Sequence, residues 1–97
     1  MNIRWLSSAL VQLDRIHGHI ARENPKAAAG VFRQIRKAPG QLARFPHLGR
    51  HSQVEGTREL VVTGLPYLIV YRVAGDDVEI LRVFHTSMNW ISEKKIQ

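Results

Sequence analysis

Arg58-Glu-Leu-Val-Val62, Tyr67-Leu-Ile-Val-Tyr-Arg-Val73 and Val78-Glu-Ile-Leu-Arg-Val-Phe-His85 follow one another closely along the chain, and their reading decides the fold. Each run is rich in β-branched and aromatic residues, which fit a pleated, half-buried surface. The spacers Thr63-Gly-Leu-Pro66 and Ala74-Gly-Asp-Asp77 are short and carry turn formers, so consecutive strands should pair antiparallel as a meander. The same runs set Arg58, Arg72, Arg82 and His85 among β-formers. A structural sheet does not need cations there, whereas a surface that meets phosphate or an acidic partner does.

Upstream of the sheet, Pro46-His-Leu-Gly-Arg50 and the polar stretch to Gly56 hold turn formers without periodicity, which predicts an exposed connecting loop. Before that loop the period changes to that of a helix. Leu10, Leu13, Ile16 and Ile20 recur at three- and four-residue steps, predicting an amphipathic helix to about Arg22, with Ser7 or Ser8 capping its start. Asn24-Pro25 marks a second start, because Asn caps well and Pro lacks an N–H that the first helical turn does not use. The second helix should turn Ala28, Val31, Phe32, Ile35, Leu42 and Phe45 toward a core, with a kink or break near Pro39.

Residues 2 to 6 alternate polar and apolar side chains and read as a short opening strand. Thr86 to Gln97, with Met88, Trp90 and Ile91, reads as a tail with a short helical piece. The expected architecture is α+β. An N-terminal strand precedes a two-helix antiparallel hairpin packed on a small, mainly antiparallel sheet whose last three strands form the meander. One domain, residues 1–97, should account for the whole chain, with 86–97 as its tail.

Composition bounds the function. With 44% hydrophobic and 23% charged residues, the chain is that of a folded protein and not of a disordered segment. A chain without cysteine has neither disulfides nor thiolate metal sites. No apolar run approaches the ~20 residues that cross a bilayer, and Met1-Asn-Ile-Arg-Trp5 lacks the order of a secretory signal, so a cytoplasmic protein without a membrane partner is expected. The formal charge of +6 favours encounters with polyanions or acidic proteins. Lys26, Arg33, Arg36, Lys37, Arg44 and Arg50 lie in a stretch free of Asp and Glu, a solvated helix face or a docking surface.

Arg58, Arg72 and Arg82 are candidate target-binding residues, since guanidinium groups hold phosphate or carboxylate bidentately. The competing reading is that they solvate the sheet or pair with Glu59, Asp76 and Glu79; which face each occupies depends on register. His85 could act as a general acid or base in phosphodiester cleavage, against the commoner structural role of a strand-end histidine. Tyr67 and Tyr71, two residues of spacing-four on one strand face, suit a core better than base stacking. His17, His19, His47 and His51 form no metal pattern, because i and i+2 on a helix face apart. Glycine-rich phosphate loops, a serine nucleophile elbow and paired catalytic carboxylates are missing from the sequence. No cofactor or metal is therefore expected.

Asn24-Pro25 between two helices, Phe45-Pro46-x-Leu48-Gly49-Arg50, Thr57-Arg58-Glu59-Leu60, Tyr67-x-Ile69-Val70-Tyr71-Arg72-Val73 and Ile80-Leu81-Arg82-Val83-x-His85 with Trp90 together resemble the RelE/ParE superfamily of toxins from type II toxin–antitoxin modules. The resemblance spans residues 2 to about 91. It implies a helical hairpin on a small antiparallel sheet and a cognate antitoxin that wraps and neutralises the toxin. It also implies one of two activities. ParE-like members bind and poison DNA gyrase, whereas RelE-like members cleave mRNA on the ribosome through basic and acid/base side chains, matched here by Arg58, Arg82 and His85. The chain has no dense lysine cluster before the sheet and no tyrosine near its C-terminus, and so looks closer to the ParE-like branch; an inactive or unrelated basic binding module is the further alternative.

Overall fold

Asn24 and Pro25 divide the helical segment as their chemistry requires. In a computed structural model that describes residues 1–87, the Asn24 side chain accepts a hydrogen bond from the Ala27 amide at 3.1 Å, and Pro25 opens the second helix. The elements in order are β1 (Asn2–Trp5), α1 (Ser7–Ala21), α2 (Pro25–Lys37), a 3₁₀ helix (Ala38–Ala43), β2 (Arg50–His51), β3 (Arg58–Val61), β4 (Tyr67–Ala74) and β5 (Asp77–His85). They form a five-stranded sheet in the order β1-β5-β4-β3-β2. The meander β3-β4-β5 is antiparallel, while β1 joins the far side of β5 in parallel. The α+β architecture of two helices on a mostly antiparallel sheet is as expected, and both tyrosines lie in the core.

The main core fills the space between hairpin and sheet. Ala9 and Leu13 of α1, Ile35 of α2 and Leu42 of the 3₁₀ helix meet Leu60, Ile69, Tyr71, Val78, Ile80 and Val83. A smaller cluster, Val70 and Phe84 with Val54 and Leu81 against it, occupies the other face of the sheet. One β-bulge decides this division. Val70 stands opposite Arg82 but Tyr71 stands opposite Ile80, so Leu81 is the extra residue. Strict alternation from Val78 and Ile80 would send Arg82 and Phe84 toward the helices; the extra residue reverses the remaining strand, so Val83 and His85 face them instead.

Several expectations are corrected. Leu10 is 41% exposed, because the buried line of α1 starts at Ala9 and runs through Leu13 and Ile16, leaving Leu10 about 100° away around the helix. Neither Ser7 nor Ser8 caps α1: Leu6 occupies the cap position without a side-chain bond, and the Ser8 hydroxyl donates to the Leu81 carbonyl at 2.8 Å. That carbonyl lies just beyond Ile80, the last residue of β5 that β1 pairs with, so the hydroxyl serves an edge group that no β1 residue reaches. The helix does break at Pro39, passing into the 3₁₀ segment, yet Phe45 is 56% exposed rather than buried. The residue before a proline is pushed toward extended backbone, so Phe45 leaves the helical path ahead of Pro46.

The segment from Pro46 to Gly56 is not wholly a loop, since Arg50 and His51 form β2 opposite Glu59 and Arg58. The expected C-terminal helical piece, with Met88, Trp90 and Ile91, lies outside the described residues. No helix among the described residues is long and apolar enough to cross a membrane.

The contrast between neighbouring leucines gives a test of the helix register. Leu13→Ala should cost about 2–5 kcal/mol of stability, because it opens a cavity in the core, whereas Leu10→Ala should stay within about 0.5 kcal/mol as an exposed change. Urea unfolding followed by circular dichroism measures both.

Candidate functional site

Pairing in β3 and β4 sets Arg58 opposite Tyr71 and Glu59 opposite Val70. Side chains of directly paired residues share a face, so Arg58 lies on the helix-facing side with Tyr71, and Arg72 lies on the other. The two arginines that could have met across the hairpin do not share a face.

Tyr71 is fully buried, so its hydroxyl must find partners. It donates to the Pro46 carbonyl at 2.8 Å and accepts from the Gly49 amide at 2.9 Å. Gly49 is required by close approach: a Cβ there would lie 2.7 Å from the Glu59 carbonyl and from the Tyr71 ring and hydroxyl. Arg58 completes the attachment. One guanidinium nitrogen donates to the carbonyls of Gly49 at 2.8 Å and His47 at 3.2 Å, and the other lies 3.3 Å from His51 Nε2. Burial pushes the Tyr71 hydroxyl up from its ordinary pKa, against smaller downward pulls from the Gly49 amide and the Arg58 charge. The hydroxyl therefore stays a donor, and the segment from Pro46 to His51 is fixed onto the sheet.

On the opposite face the charges form a ladder. Arg72 Nε binds Glu79 Oε1 at 2.7 Å, and Arg4 approaches Glu79 and Asp77 at 3.5 Å. Arg50 pairs with Glu59 at 3.0 Å. The arginines in these pairs are largely exposed, so each pair contributes no more than about 1 kcal/mol. Arg82 is half-buried beside Val70 in the register, and its side chain makes no hydrogen bond or ion pair with another described residue.

His85 stands at the far end of β5, paired with Tyr67 and in edge-to-face contact with its ring at 5.5 Å. The Ser87 amide donates to His85 Nδ1 at 3.2 Å, and Ser87 Oγ lies 2.8 Å from the same nitrogen. An amide needs a lone pair to donate to, so the neutral ring carries its proton on Nε2. His85 lines a groove of about 470 Å³ between α1 and β5, together with the apolar Ile16 and Val83 and with Arg15 and His19. Sequence reasoning did not group Arg15 and His19 with His85. Their i, i+4 spacing places them on one helical face, but only the tertiary fold shows that the face borders β5. Gln12 Oε1 accepts the Val83 amide at 2.8 Å in the same region.

The three residues matched to a nuclease thus occupy separate places. Arg58 aligns with Tyr71 and His85 with Tyr67, four residues apart along β4, or about 13 Å at strand rise. Arg82 is on the opposite face. A general acid and base must come within hydrogen-bond reach of one phosphodiester, and the register sets these three residues at different places on the sheet. Among the described residues no group of three or more His, Asp or Glu side chains could hold a metal ion.

Known proteins share this architecture. A family model described as the ParE toxin of the type II toxin–antitoxin system parDE matches residues 3–90. A Sinorhizobium fredii protein named toxin Y4kP is 44% identical over 91% of each chain. The Caulobacter vibrioides toxin RelE2 is 36% identical over 86% of this chain and 92% of its own, and toxin ParE3 of the same organism is 35% identical over 79% and 78%. Among solved structures, a chain of the chromosomal ParDE system of P. aeruginosa superimposes with a TM-score of 0.81 at 28% identity, covering 88% of this chain and 95% of that one. A chain of the RelBE2 toxin–antitoxin complex of Mycobacterium tuberculosis does so with a TM-score of 0.57 at 27% identity, covering 87% and 95%.

The Tyr71 hydroxyl is testable by removal. Tyr71→Phe leaves the Pro46 carbonyl and Gly49 amide without their buried partner and should cost about 1–3 kcal/mol in urea unfolding at neutral pH. Because the folded pKa of Tyr71 is raised above its ordinary 10.0, the unfolded chain loses its proton first. The tyrosine's contribution is full below that value and is lost as pH rises through the folded pKa. Melts between about pH 8 and 11 should show a shallower alkaline loss of stability in Tyr71→Phe than in the wild type.

Proposed function

Because the chain belongs to the ParE family of toxins from type II toxin–antitoxin systems, we propose that it arrests bacterial growth by binding and poisoning DNA gyrase, and that a cognate antitoxin holds it inactive. The observation that carries this reading is the dispersal of Arg58, Arg82 and His85 over two faces and two ends of the sheet. Cleavage would need such groups to converge, whereas tight binding of a large target needs only a complementary surface. The higher structural agreement with the ParDE chain than with the RelBE2 chain, at nearly equal identity, supports the same direction.

Within this reading Arg58, Arg72 and Arg82 keep distinct parts in target binding. Arg82 brings a guanidinium that forms no ion pair with a described residue, so it contributes the direct contact. Arg72 is half exposed and shares its charge with Glu79. Arg58 acts chiefly by fixing the Pro46–His51 segment. The antitoxin would set acidic residues against Arg15 and His19 of the α1–β5 groove and apolar ones against exposed groups of the hairpin and of β3, such as Leu10, Val11 and Val61. Complementary charge of this kind speeds encounter and selects the partner.

Ribosome-dependent mRNA cleavage is the alternative, favoured by the similarity to toxin RelE2. Induction of the chain in a bacterial host should stop thymidine incorporation within minutes and before methionine incorporation, and purified protein should inhibit gyrase supercoiling. His85→Ala should leave both effects within about twofold, and Arg82→Gln should weaken both by about tenfold with an unchanged circular dichroism spectrum. An early stop in methionine incorporation, lost by about 100-fold or more in His85→Ala, would instead establish the nuclease reading.

A further inference from the structure

Phe45 is the most exposed large hydrophobic side chain among the described residues, at 56%, and Leu48, three positions on, is 51% exposed. A single exposed apolar residue needs no explanation. These two, however, sit on a segment that the rest of the molecule holds in one conformation. Both hydrogen bonds of the buried Tyr71 hydroxyl go to it, Arg58 grips two of its carbonyls, and the Leu48 amide closes a turn on the Phe45 carbonyl at 3.1 Å. Gly49 is confined to glycine by its contacts with β3 and β4. A mere connection between helix and sheet needs none of this. A rigid loop that displays apolar groups loses little conformational freedom on binding, which is how a preorganised interface gains affinity.

The electrostatic setting narrows the partner. From Asn24 to Val54 the sequence has no Asp or Glu, and the Arg44 guanidinium lies 5.6 Å from the centre of the Phe45 ring. From these observations we infer that the Phe45–Leu48 loop is the anchor by which this toxin grips its protein target, inserting into an apolar pocket with an acidic rim. The inference rests on the reading of the chain as a toxin that binds gyrase, and adds the surface it uses. Two other partner classes fit less well. A nucleic-acid strand could stack on Phe45 but would find no use for Leu48. An antitoxin segment that folds as it binds takes a groove or a strand edge, and a rigid apolar knob calls for a cavity in a folded partner.

The test uses the full chain with Phe45→Ala and Leu48→Ala combined. Both side chains are exposed, so the thermal melt and the affinity for the cognate antitoxin should match the wild type. The half-inhibitory concentration in a gyrase supercoiling assay should rise about 30-fold or more, as for loss of an interface anchor. Leu48→Glu provides a second variant, whose charge would oppose the acidic rim; its half-inhibitory concentration should rise at least as far. Unchanged inhibition by either folded variant would overturn the assignment, as would an equal loss of antitoxin affinity, which would make the loop an antitoxin surface. Should the wild type arrest growth while leaving gyrase untouched, the gyrase reading fails by itself. The loop is then judged on growth: loss of arrest with antitoxin binding intact supports it, and full arrest by the double variant overturns it.

Discussion

The Tyr71 hydroxyl is the point on which the segment from Pro46 to His51 is hung. Buried among apolar side chains, it would be costly without partners, and it takes them from Pro46 and Gly49, more than twenty positions upstream in the chain. Bringing those groups to β4 draws Gly49 against the β3 backbone, where no Cβ fits. It also places Arg50 and His51 where they pair with β3 and puts the carbonyls of His47 and Gly49 within reach of Arg58. A segment that would otherwise be a free connection becomes part of the sheet, and the exposure of Phe45 and Leu48 is a consequence of how it is held.

The bulge at Leu81 has comparable reach at the other end of the sheet. By reversing the sides of the residues after it, one extra residue puts Val83 into the main core, Phe84 into the smaller cluster and His85 beside α1. Arg82 is turned away from the helices, where a guanidinium without a partner would have been expensive to bury. Thus the separation of Arg82 from His85, which weighs against their acting on one substrate group, follows from a local change in strand register. The ladder of Arg4, Glu79 and Arg72 precedes the bulge and keeps ordinary alternation, so its charges fall on the sheet face away from the helices.

Charge is distributed by the same rules. The carboxylates of Glu59, Asp77 and Glu79 meet arginines on the sheet face away from the helices, while the stretch from Asn24 to Val54 carries basic residues and no Asp or Glu of its own. A positively charged protein of this kind associates fast with acidic partners.

Much of the fold was legible in the residues themselves, because the information is local. The Asn24-Pro25 helix boundary, the break at Pro39, the two hairpin turns and the period-two runs follow from backbone chemistry and neighbouring side chains. The core roles of Leu13, Ile35, Tyr67 and Tyr71 follow from the same periodicities. What required the tertiary structure was whatever depends on contacts between distant segments. The parallel seat of β1 beside β5, the bulge that reverses Arg82 and His85, the use of Ser8 and Gln12 to satisfy the β5 edge, and the conversion of Arg58 from a free cation into a clasp all belong to this class. Periodicity tells which residues alternate, but a one-residue slip in pairing exchanges the faces, and only the packed chain selects between them.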